Sequence, residues 1–300
     1  MLPFVFLDPA GLHGIQPWGI FIAVGFLVGD ALWMRRAKLL GYDLREFRAF
    51  VIWQIAMGFF VGHLLDEIFY HPEQIALRPL SLLFVWEGQS SLGGFVGSLV
   101  GGLSWKYFEV RKRGLLRWVG LRETPMALLP FADVGAATFP VAFAFGRAGC
   151  AIVHDHPGAL ASPGALFAVA WPLSPEDGVH HIFGPLHVVY GSSCRYDLGL
   201  LECLFTIVLA AAMAATWKRR LPVGTYLTVA ALAYSPVRFA MDFLRASDGV
   251  PGGDLRHGAL TFAQYACIAF FAYGCFQLRA ILRDQKMASP LASANTSANA

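Results

Sequence analysis

The sequence predicts an all-α integral membrane protein with seven transmembrane helices, an outside N-terminus and a cytoplasmic C-terminus. Composition, apolar windows and the distribution of cations predict this class. Of the 300 residues, 56% are hydrophobic and 14% are charged, and the mean hydropathy is +0.54. An average soluble domain is about 45–50% apolar and about 25% charged. The chain is therefore too apolar to be an ordinary soluble domain.

Seven windows approach the length of about 20 mostly apolar residues that a spanning helix needs. Polar segments separate them, as expected where helices satisfy the backbone groups that lie in hydrocarbon. We therefore predict one polytopic domain over residues 1–286 and a disordered tail at 287–300, which is rich in Ala, Ser and Asn. The windows lie roughly at residues 18–33, 49–69, 92–107, 126–145, 198–217, 223–243 and 260–278.

The Lys and Arg residues predict the orientation. Seventeen lie after windows one, three and five and in the tail, whereas four lie in the loops of the opposite side. Because cytoplasmic loops carry an excess of Lys and Arg, the N-terminus is predicted outside. The net charge of +3 is small for the length, so no nucleic-acid partner is predicted.

The longest loop of the outer side follows window four. The segment at about 150–197 is polar and rich in proline, which predicts short helices or arms on the membrane surface. The five cysteines show neither a CxxC pair nor metal-like spacing. We expect no cofactor and no metal site.

Arg147 lies near the outer end of window four, where a charge is costly. An arginine at membrane depth costs at least about 2.5 kcal/mol on insertion scales, which indicates a partner or a ligand. It either pairs with a carboxylate such as Asp133 or Asp242, or binds an anion such as a lipid phosphate. Gly146 and Gly149 flank it and would let a headgroup or a neighbouring helix approach the backbone.

Window six carries a second polar set. Arg238, Asp242 and Arg245 are spaced by four and then three residues, which places them along one face of a helix. Asp242 would orient both arginines and leave guanidinium donors for a ligand, or the three would form a closed charge network. Tyr226, near the start of this window, is a further candidate for substrate binding.

A glycine pair, Gly93 and Gly94, opens window three after Trp86-Glu87-Gly88. Exposed amides at a helix start bind anionic groups, although small residues also allow tight helix packing in membranes. With the two arginine sets, the pair lies on the predicted outer side. This arrangement predicts a site for a phospholipid headgroup.

These residues resemble the prolipoprotein diacylglyceryl transferase family over about residues 15–277. The resemblance implies transfer of a diacylglyceryl group from phosphatidylglycerol to the lipobox cysteine thiol of a preprolipoprotein, the first step of lipoprotein maturation. It also implies a multi-pass protein of the bacterial inner membrane, whose partners are phosphatidylglycerol, the preprolipoprotein signal peptide and membrane lipids. The resemblance rests on Ile15-Gln16-Pro17-Trp18-Gly19, Arg35-Arg36-Ala37-Lys38, Phe69-Tyr70-His71-Pro72, the glycine turn before window three, Gly146-Arg147-Ala148-Gly149, and Arg238 to Arg245.

The chain departs from the family's pattern at three positions. Leu92 replaces a histidine, Cys150 replaces an asparagine and Trp18 replaces a tyrosine. The resemblance still implies that Arg147 and Arg238 bind the headgroup phosphate. Preorganised cations near a developing negative charge stabilise such a leaving group.

The missing histidine directs the search for a base to His154-Asp155-His156, next to Arg147. An imidazole can exchange a proton near neutral pH, and the thiolate is the nucleophile. Either histidine is a candidate, and a surface or packing role is the alternative for both. Glu202 resembles a glutamate of the family and would hold an arginine, with or without catalytic meaning.

Two other functions compete with this interpretation. The departures at Leu92 and Cys150 are compatible with a diverged transferase that uses another lipid group or acceptor. A non-catalytic lipid-binding or transport protein is the alternative from another class. Transport predicts polar residues that continue toward the inner side, whereas the polar cluster here is largely one-sided. We therefore favour chemistry at the outer surface.

Overall fold

A computed structural model describes residues 1–86, 88–172, 178–191, 193–246 and 256–297. Glu87 and the last three residues of the predicted tail lie outside these ranges. The described chain is mostly helical, and five of its helical segments are long and apolar enough to cross a membrane. The helices are α1 (Pro17–Leu40), α2 (Leu44–Tyr70), α3 (Pro72–Leu77), α4 (Ser91–Tyr107), α5 (Leu128–Val153), α6 (Leu198–Ala214), α7 (Thr225–Met241) and α8 (Phe262–Ser297).

The five candidate spans lie at five of the seven predicted windows. They are Pro17–Leu40, Leu44–Phe69, Leu128–Val153, Thr225–Leu244 and Phe262–Lys286. The other two windows correspond to α4 and α6, which have 17 residues each. Such a helix is about 26 Å long, somewhat shorter than the roughly 30 Å hydrocarbon core of a bilayer. Seven spans therefore stay a prediction, as does disorder in the tail, where α8 continues to Ser297.

The prediction of an all-α chain needs correction, because the described ranges contain short strands. Two three-stranded antiparallel sheets, in the orders β4-β8-β5 and β1-β7-β6, include most of the segment predicted as short helices or arms. Val, Ile, Phe and Trp favour strands, and a search for windows of 20 residues misses elements of four or five. The strands are β1 (Phe4–Leu7), β2 (Phe108–Arg113), β3 (Leu116–Leu121), β4 (Pro157–Leu160), β5 (Ala168–Trp171), β6 (Val179–Phe183), β7 (Leu186–Val189), β8 (Ser193–Asp197), β9 (Arg256–His257) and β10 (Leu260–Thr261).

The chain divides into two compact units, one of Met1–Leu32 with Ala136–Ala300 and one of Trp33–Gly135. The second unit has an aromatic core in which Phe47 stacks on Phe131 with ring centroids 4.3 Å apart. The first unit has a smaller core around Leu209 and Met213 of α6. The arginines of windows four and six belong to the first unit.

Helices α2 and α4 of the second unit meet along glycines. A Cβ atom at Gly97 would lie 2.7 Å from the Cα of Gly58, and one at Gly93 would lie 2.8 Å from the Cα of Gly62. Side chains at these positions would force the helices apart, so the packing alternative accounts for Gly93. Gly94 instead faces open space among the described atoms, with none within 4 Å of its Cβ position.

We expect Gly97→Leu to destabilise the protein by about 1–3 kcal/mol, the usual cost of overpacking a close contact. The new side chain would meet the α2 backbone, which cannot rotate away as a side chain can. Thermal unfolding of the purified protein measures the effect. Gly94→Ala on the same helix is the matched control, and an equal loss of stability in both variants would contradict this packing interpretation.

Candidate active site

Glu202 links the two arginine-bearing helices of the first unit. Its side chain, on α6, is almost completely buried. Its Oε2 lies 3.1 Å from Nε of Arg147 on α5, and its Oε1 lies 3.6 Å from Nε of Arg238 on α7. The hydroxyl of Tyr234 donates a hydrogen bond to Oε1. One carboxylate thus connects two guanidinium groups that are distant in the sequence.

Asp242 connects Arg238 to the third arginine of the cluster. Its Oδ1 accepts hydrogen bonds from Nη1 of Arg238 at 2.5 Å and from Nε of Arg245 at 2.8 Å. The hydroxyl of Thr261, the last residue of β10 before α8, donates to Oδ2, and Asp242 is completely buried. The carboxylate therefore fixes both arginines, and the predicted helical spacing brings these three charged residues together.

Arg147 also contacts the histidine motif that follows α5. Its Nη1 lies 3.0 Å from Nε2 of His156 and 3.7 Å from Sγ of Cys150. Nδ1 of His156 lies 2.9 Å from Oδ1 of Asp155. Because a guanidinium only donates hydrogen bonds, Nε2 of His156 accepts from Arg147. Its Nδ1 is within ion-pair distance of Asp155 but makes no hydrogen bond to a described residue. The imidazole therefore lies between an arginine and a carboxylate.

His154 has the opposite hydrogen-bond pattern. Its Nδ1 lies 2.5 Å from Oδ2 of Asp197, and its Nε2 lies 2.9 Å from the carbonyl oxygen of Val5. Both partners only accept hydrogen bonds, so both ring nitrogens of His154 face acceptor oxygens. The ring also stacks on Phe4 with centroids 3.6 Å apart. This histidine ties strand β1 to the end of α5, as the packing alternative holds.

We expect Asp197→Ala to destabilise the protein by about 3–5 kcal/mol, the cost of removing one partner of a buried ion pair. Asp197 also accepts from the backbone N–H of Leu200 as the N-cap of α6. Loss of an N-cap alone costs about 1 kcal/mol. The matched control is Asp43→Ala, which removes the exposed N-cap of α2. Equal shifts in thermal unfolding of the two variants would contradict a stabilising pair between Asp197 and His154.

Three further residues were predicted to bind substrate, namely Gly146, Gly149 and Tyr226, and each contacts another part of the protein. Gly149 lies against α1, since its Cβ position is 3.3 Å from Cδ1 of Trp18, and Gly146 similarly faces Ile22. Tyr226 is buried in the core around Leu209, where its hydroxyl donates to the carbonyl of Thr216. Twelve residues separate it from Arg238 on the same helix, which is about 18 Å. The structure therefore does not bring Tyr226 to the arginines, because Tyr226 and Arg238 lie at opposite ends of α7.

Three ligand-type side chains lie together beside Arg147. Atoms of Cys150, Asp155 and His156 that could bind a metal ion are within 4.8 Å of one another. The guanidinium of Arg147, however, contacts both the sulfur and the imidazole. A cation in this position opposes a second cation, so the group fits proton transfer beside an anion better than metal binding.

Charge in the arginine cluster favours an anionic ligand. Among its described side chains, the guanidinium groups of Arg147, Arg238 and Arg245 face the two buried carboxylates of Glu202 and Asp242. Glu202 contacts two of these guanidinium groups and Asp242 contacts two. Arginine forks of this kind match phosphate geometry.

Comparison with known proteins agrees with this chemistry. The family model described as prolipoprotein diacylglyceryl transferase matches residues 9–279. The chain belongs to this transferase family. Membership places the arginine cluster in an enzyme of lipoprotein biosynthesis, and the apolar helices are those of a multi-pass membrane protein.

Curated members of the prolipoprotein diacylglyceryl transferase family are similar over most of the chain. A phosphatidylglycerol–prolipoprotein diacylglyceryl transferase of Nitratidesulfovibrio vulgaris (strain DSM 19637 / Miyazaki F) is 28% identical, over 93% of this chain and 95% of the relative. One of the same name from Chromohalobacter salexigens is 26% identical, over 83% of each chain. One from Thermus thermophilus is 32% identical over a shorter part, 36% of this chain and 37% of the relative.

Three contacts of this transferase's cluster were not predicted from the sequence. Tyr234 donates to Glu202, Thr261 donates to Asp242, and the ring of Phe143 lies 4.8 Å from the guanidinium carbon of Arg147. Tyr234 precedes Arg238 by four residues, so helical spacing would have identified it. Thr261 has no such signal, because only the fold brings α8 beside α7.

Proposed function

We propose that the protein transfers the diacylglyceryl group of phosphatidylglycerol to the cysteine thiol of a prolipoprotein. Arg147 and Arg238 bind the headgroup phosphate, and Glu202 and Asp242 hold the two guanidinium groups in place. The observation that carries the proposal is the buried cluster in which Glu202 and Asp242 fix Arg147 and Arg238, next to the imidazole of His156. The names of the similar proteins supply the substrate pair.

The reaction requires a nucleophile and a stabilised leaving group. The substrate thiolate attacks the glycerol carbon that bears the phosphate. A carbon–sulfur bond forms, the carbon–oxygen bond breaks, and its electron pair leaves with glycerol phosphate. Fixed guanidinium groups stabilise the charge that develops on the leaving oxygen without reorganising at that moment.

His156 is the proposed base for the thiol proton. To take the proton, Nε2 exchanges its contact with Arg147 for the substrate thiol. The Asp155 carboxylate, 2.9 Å from Nδ1, stabilises the imidazolium that forms. Both ring nitrogens of His154 face acceptor oxygens, so it is assigned a structural role. This assignment offers a route for proton transfer in a chain that has Leu92 in place of the family's histidine.

The proposed setting is the bacterial inner membrane, with seven spans, the N-terminus outside and the loops rich in Lys and Arg in the cytoplasm. The charge asymmetry of the loops supports this orientation. It places the arginine cluster toward the periplasm, where a secreted preprolipoprotein presents its lipobox cysteine. The first 286 residues then form one membrane domain with an outer segment at about 150–197.

Transfer in lipid nanodiscs tests this function. The purified protein in discs that contain phosphatidylglycerol is mixed with a peptide that carries a lipobox cysteine. We expect a mass increase of one diacylglyceryl group on the peptide and release of an equal amount of glycerol phosphate. A peptide with serine in place of the cysteine and discs of phosphatidylcholine alone are the controls.

Complementation separates the competing functions. A bacterial strain depleted of its own diacylglyceryl transferase should grow when it expresses this chain. Failure at normal expression, together with lipid transfer to another acceptor in nanodiscs, would favour the diverged transferase. Binding of phosphatidylglycerol without any transfer would favour the non-catalytic protein and would overturn the proposal.

A further inference from the structure

Hairpin β2–β3 of the second unit exposes one apolar face. Residues directly opposite in an antiparallel pair share a face, and Phe108 pairs with Leu121 while Val110 pairs with Val119. All four side chains are exposed, by between 38% and 66%. Soluble surfaces carry such apolar residues singly rather than as a contiguous strip. The strip therefore indicates a surface that a membrane or another molecule covers.

Cations and an apolar tip continue this face toward the turn. Lys112 pairs with Arg117, and both are exposed. Leu115, in the turn, is 100% exposed. Gly114 has a φ of 60°, as the first turn position of a type II′ hairpin requires. The face therefore runs from apolar residues to a cation pair and ends in an apolar side chain.

The opposite face of the hairpin also exposes apolar side chains, at Leu116 and Trp118, but its cation Arg111 has a carboxylate partner. There Arg111 lies across from Trp118, and its Nε donates to Oε1 of Glu109 at 2.9 Å. Its charge is thus balanced by a neighbour, whereas Lys112 and Arg117 lie side by side with like charges. Like charges directly opposite each other destabilise a strand pair, which an anion between them would relieve.

The base of the hairpin is fixed beside the end of helix α4. Strand β2 follows α4 without an intervening residue. Nε of Arg122, just after β3, donates to the carbonyl oxygens of Trp105 and Phe108 at 3.0 and 3.2 Å. Its Nη2 also lies 2.8 Å from Oε2 of Glu46. These contacts hold the hairpin at the end of an apolar helix, where a bilayer interface would lie.

We propose that hairpin β2–β3 is a membrane-surface anchor that binds anionic phospholipid. The apolar face lies in the interface, and Lys112 and Arg117 bind lipid phosphates. Amphipathic elements with apolar residues and cations bind anionic membranes in this way. The proposed ligand is a lipid of the same membrane, because the cations are continuous with the apolar strip and follow directly on α4. This role is independent of the proposed transferase chemistry.

Fluorescence in nanodiscs tests the anchor. Leu115→Cys is labelled with an environment-sensitive dye in the full-length protein, and the wild-type chain labelled in parallel corrects for the native thiols. Discs contain phosphatidylcholine alone or with phosphatidylglycerol, in both cases with acyl chains that carry a bromine quencher. We expect quenching in the mixed discs, and we expect K112E/R117E to reduce it at least about fivefold, since each cation near an anionic surface contributes about that factor.

The matched control is R219E/R220E, which changes the net charge equally at two exposed arginines after α6. This variant should leave quenching of the Leu115→Cys dye unchanged. Equal quenching in both lipid mixtures, or equal effects of the two double variants, would overturn the proposal. A change in dye quenching that depends on the number of protein copies per disc, and not on phosphatidylglycerol, would identify a contact between copies. This result would also overturn the proposal. Lipid transfer at the wild-type rate by K112E/R117E would show that the anchor is separate from the active site.

Discussion

Arg147→Ala is expected to lower kcat/KM for diacylglyceryl transfer by at least about 100-fold. Removal of one preorganised donor from a developing anion typically costs about 100- to 1,000-fold. Arg147 is buried, so water does not screen its charge. Transfer to the lipobox peptide in nanodiscs, with kcat and KM measured separately, gives the effect per folded molecule.

Arg147→Lys should recover only part of the lost rate. Lysine keeps the charge but lacks the planar fork that reaches Glu202 and His156 at once. Arg122→Ala is the matched control, because it removes a second arginine with a carboxylate partner, here in the other unit. This variant should lose stability but retain its rate per folded molecule.

Glu202→Gln distinguishes phosphate binding from simple ion pairing. If Arg147 serves only to neutralise Glu202, then Glu202→Gln should restore activity to Arg147→Ala. If the arginine binds phosphate, the double variant should be no more active than Arg147→Ala. Restoration of activity would therefore refute the phosphate-binding role.

Local spacing predicted the contacts within one helix better than those between helices. Arg238, Asp242 and Arg245 are four and three residues apart, and the structure joins all three through one carboxylate oxygen. The sequence offered Asp133 or Asp242 as partners of Arg147 and predicted that Glu202 holds an arginine, without saying which one. In the structure Glu202 contacts both Arg147 and Arg238. Fifty-five residues separate Arg147 from Glu202 in the sequence, so only helix packing decides between the possible partners.

Hydropathy predicted the long helices but not the sheets. Five apolar windows recur as candidate spans because each spans enough apolar residues for the pattern to stand out. The strands at 157–197 have four or five residues each. Their partners lie across loops or near the N-terminus, as β1 pairs with β7. Strand pairing at such separations depends on tertiary structure, which composition does not specify.

The two histidines of the same motif illustrate what geometry adds. The sequence left His154 and His156 equivalent, since both adjoin Asp155. A φ of 51° at His154 turns the chain after α5, and the two side chains consequently point to different partners. His154 contacts two acceptor oxygens, whereas His156 contacts an arginine and a carboxylate. Only His156 has a ring nitrogen that accepts from a donor, which is the atom that a base uses.

His156→Gln is expected to lower kcat/KM for transfer by about 100- to 10,000-fold, the usual contribution of a positioned base. Glutamine can still accept a hydrogen bond from Arg147, so the guanidinium should stay in place, but the amide does not take up a proton. His154→Gln is the matched control. It should lower the melting temperature through the loss of its pair with Asp197, while the rate per folded molecule stays close to that of the wild type.

Varying the pKa of the peptide thiol tests whether His156 is a catalytic base or a structural residue. A lipobox peptide with a lysine beside the cysteine has a lower thiol pKa and supplies more thiolate by itself. A variant without its base should gain more from this peptide than the wild type does, because proton removal limits only the variant. A structural defect would slow both peptides by the same factor. Equal loss on the two peptides would therefore exclude His156 as the base, even if His156→Gln were nearly inactive.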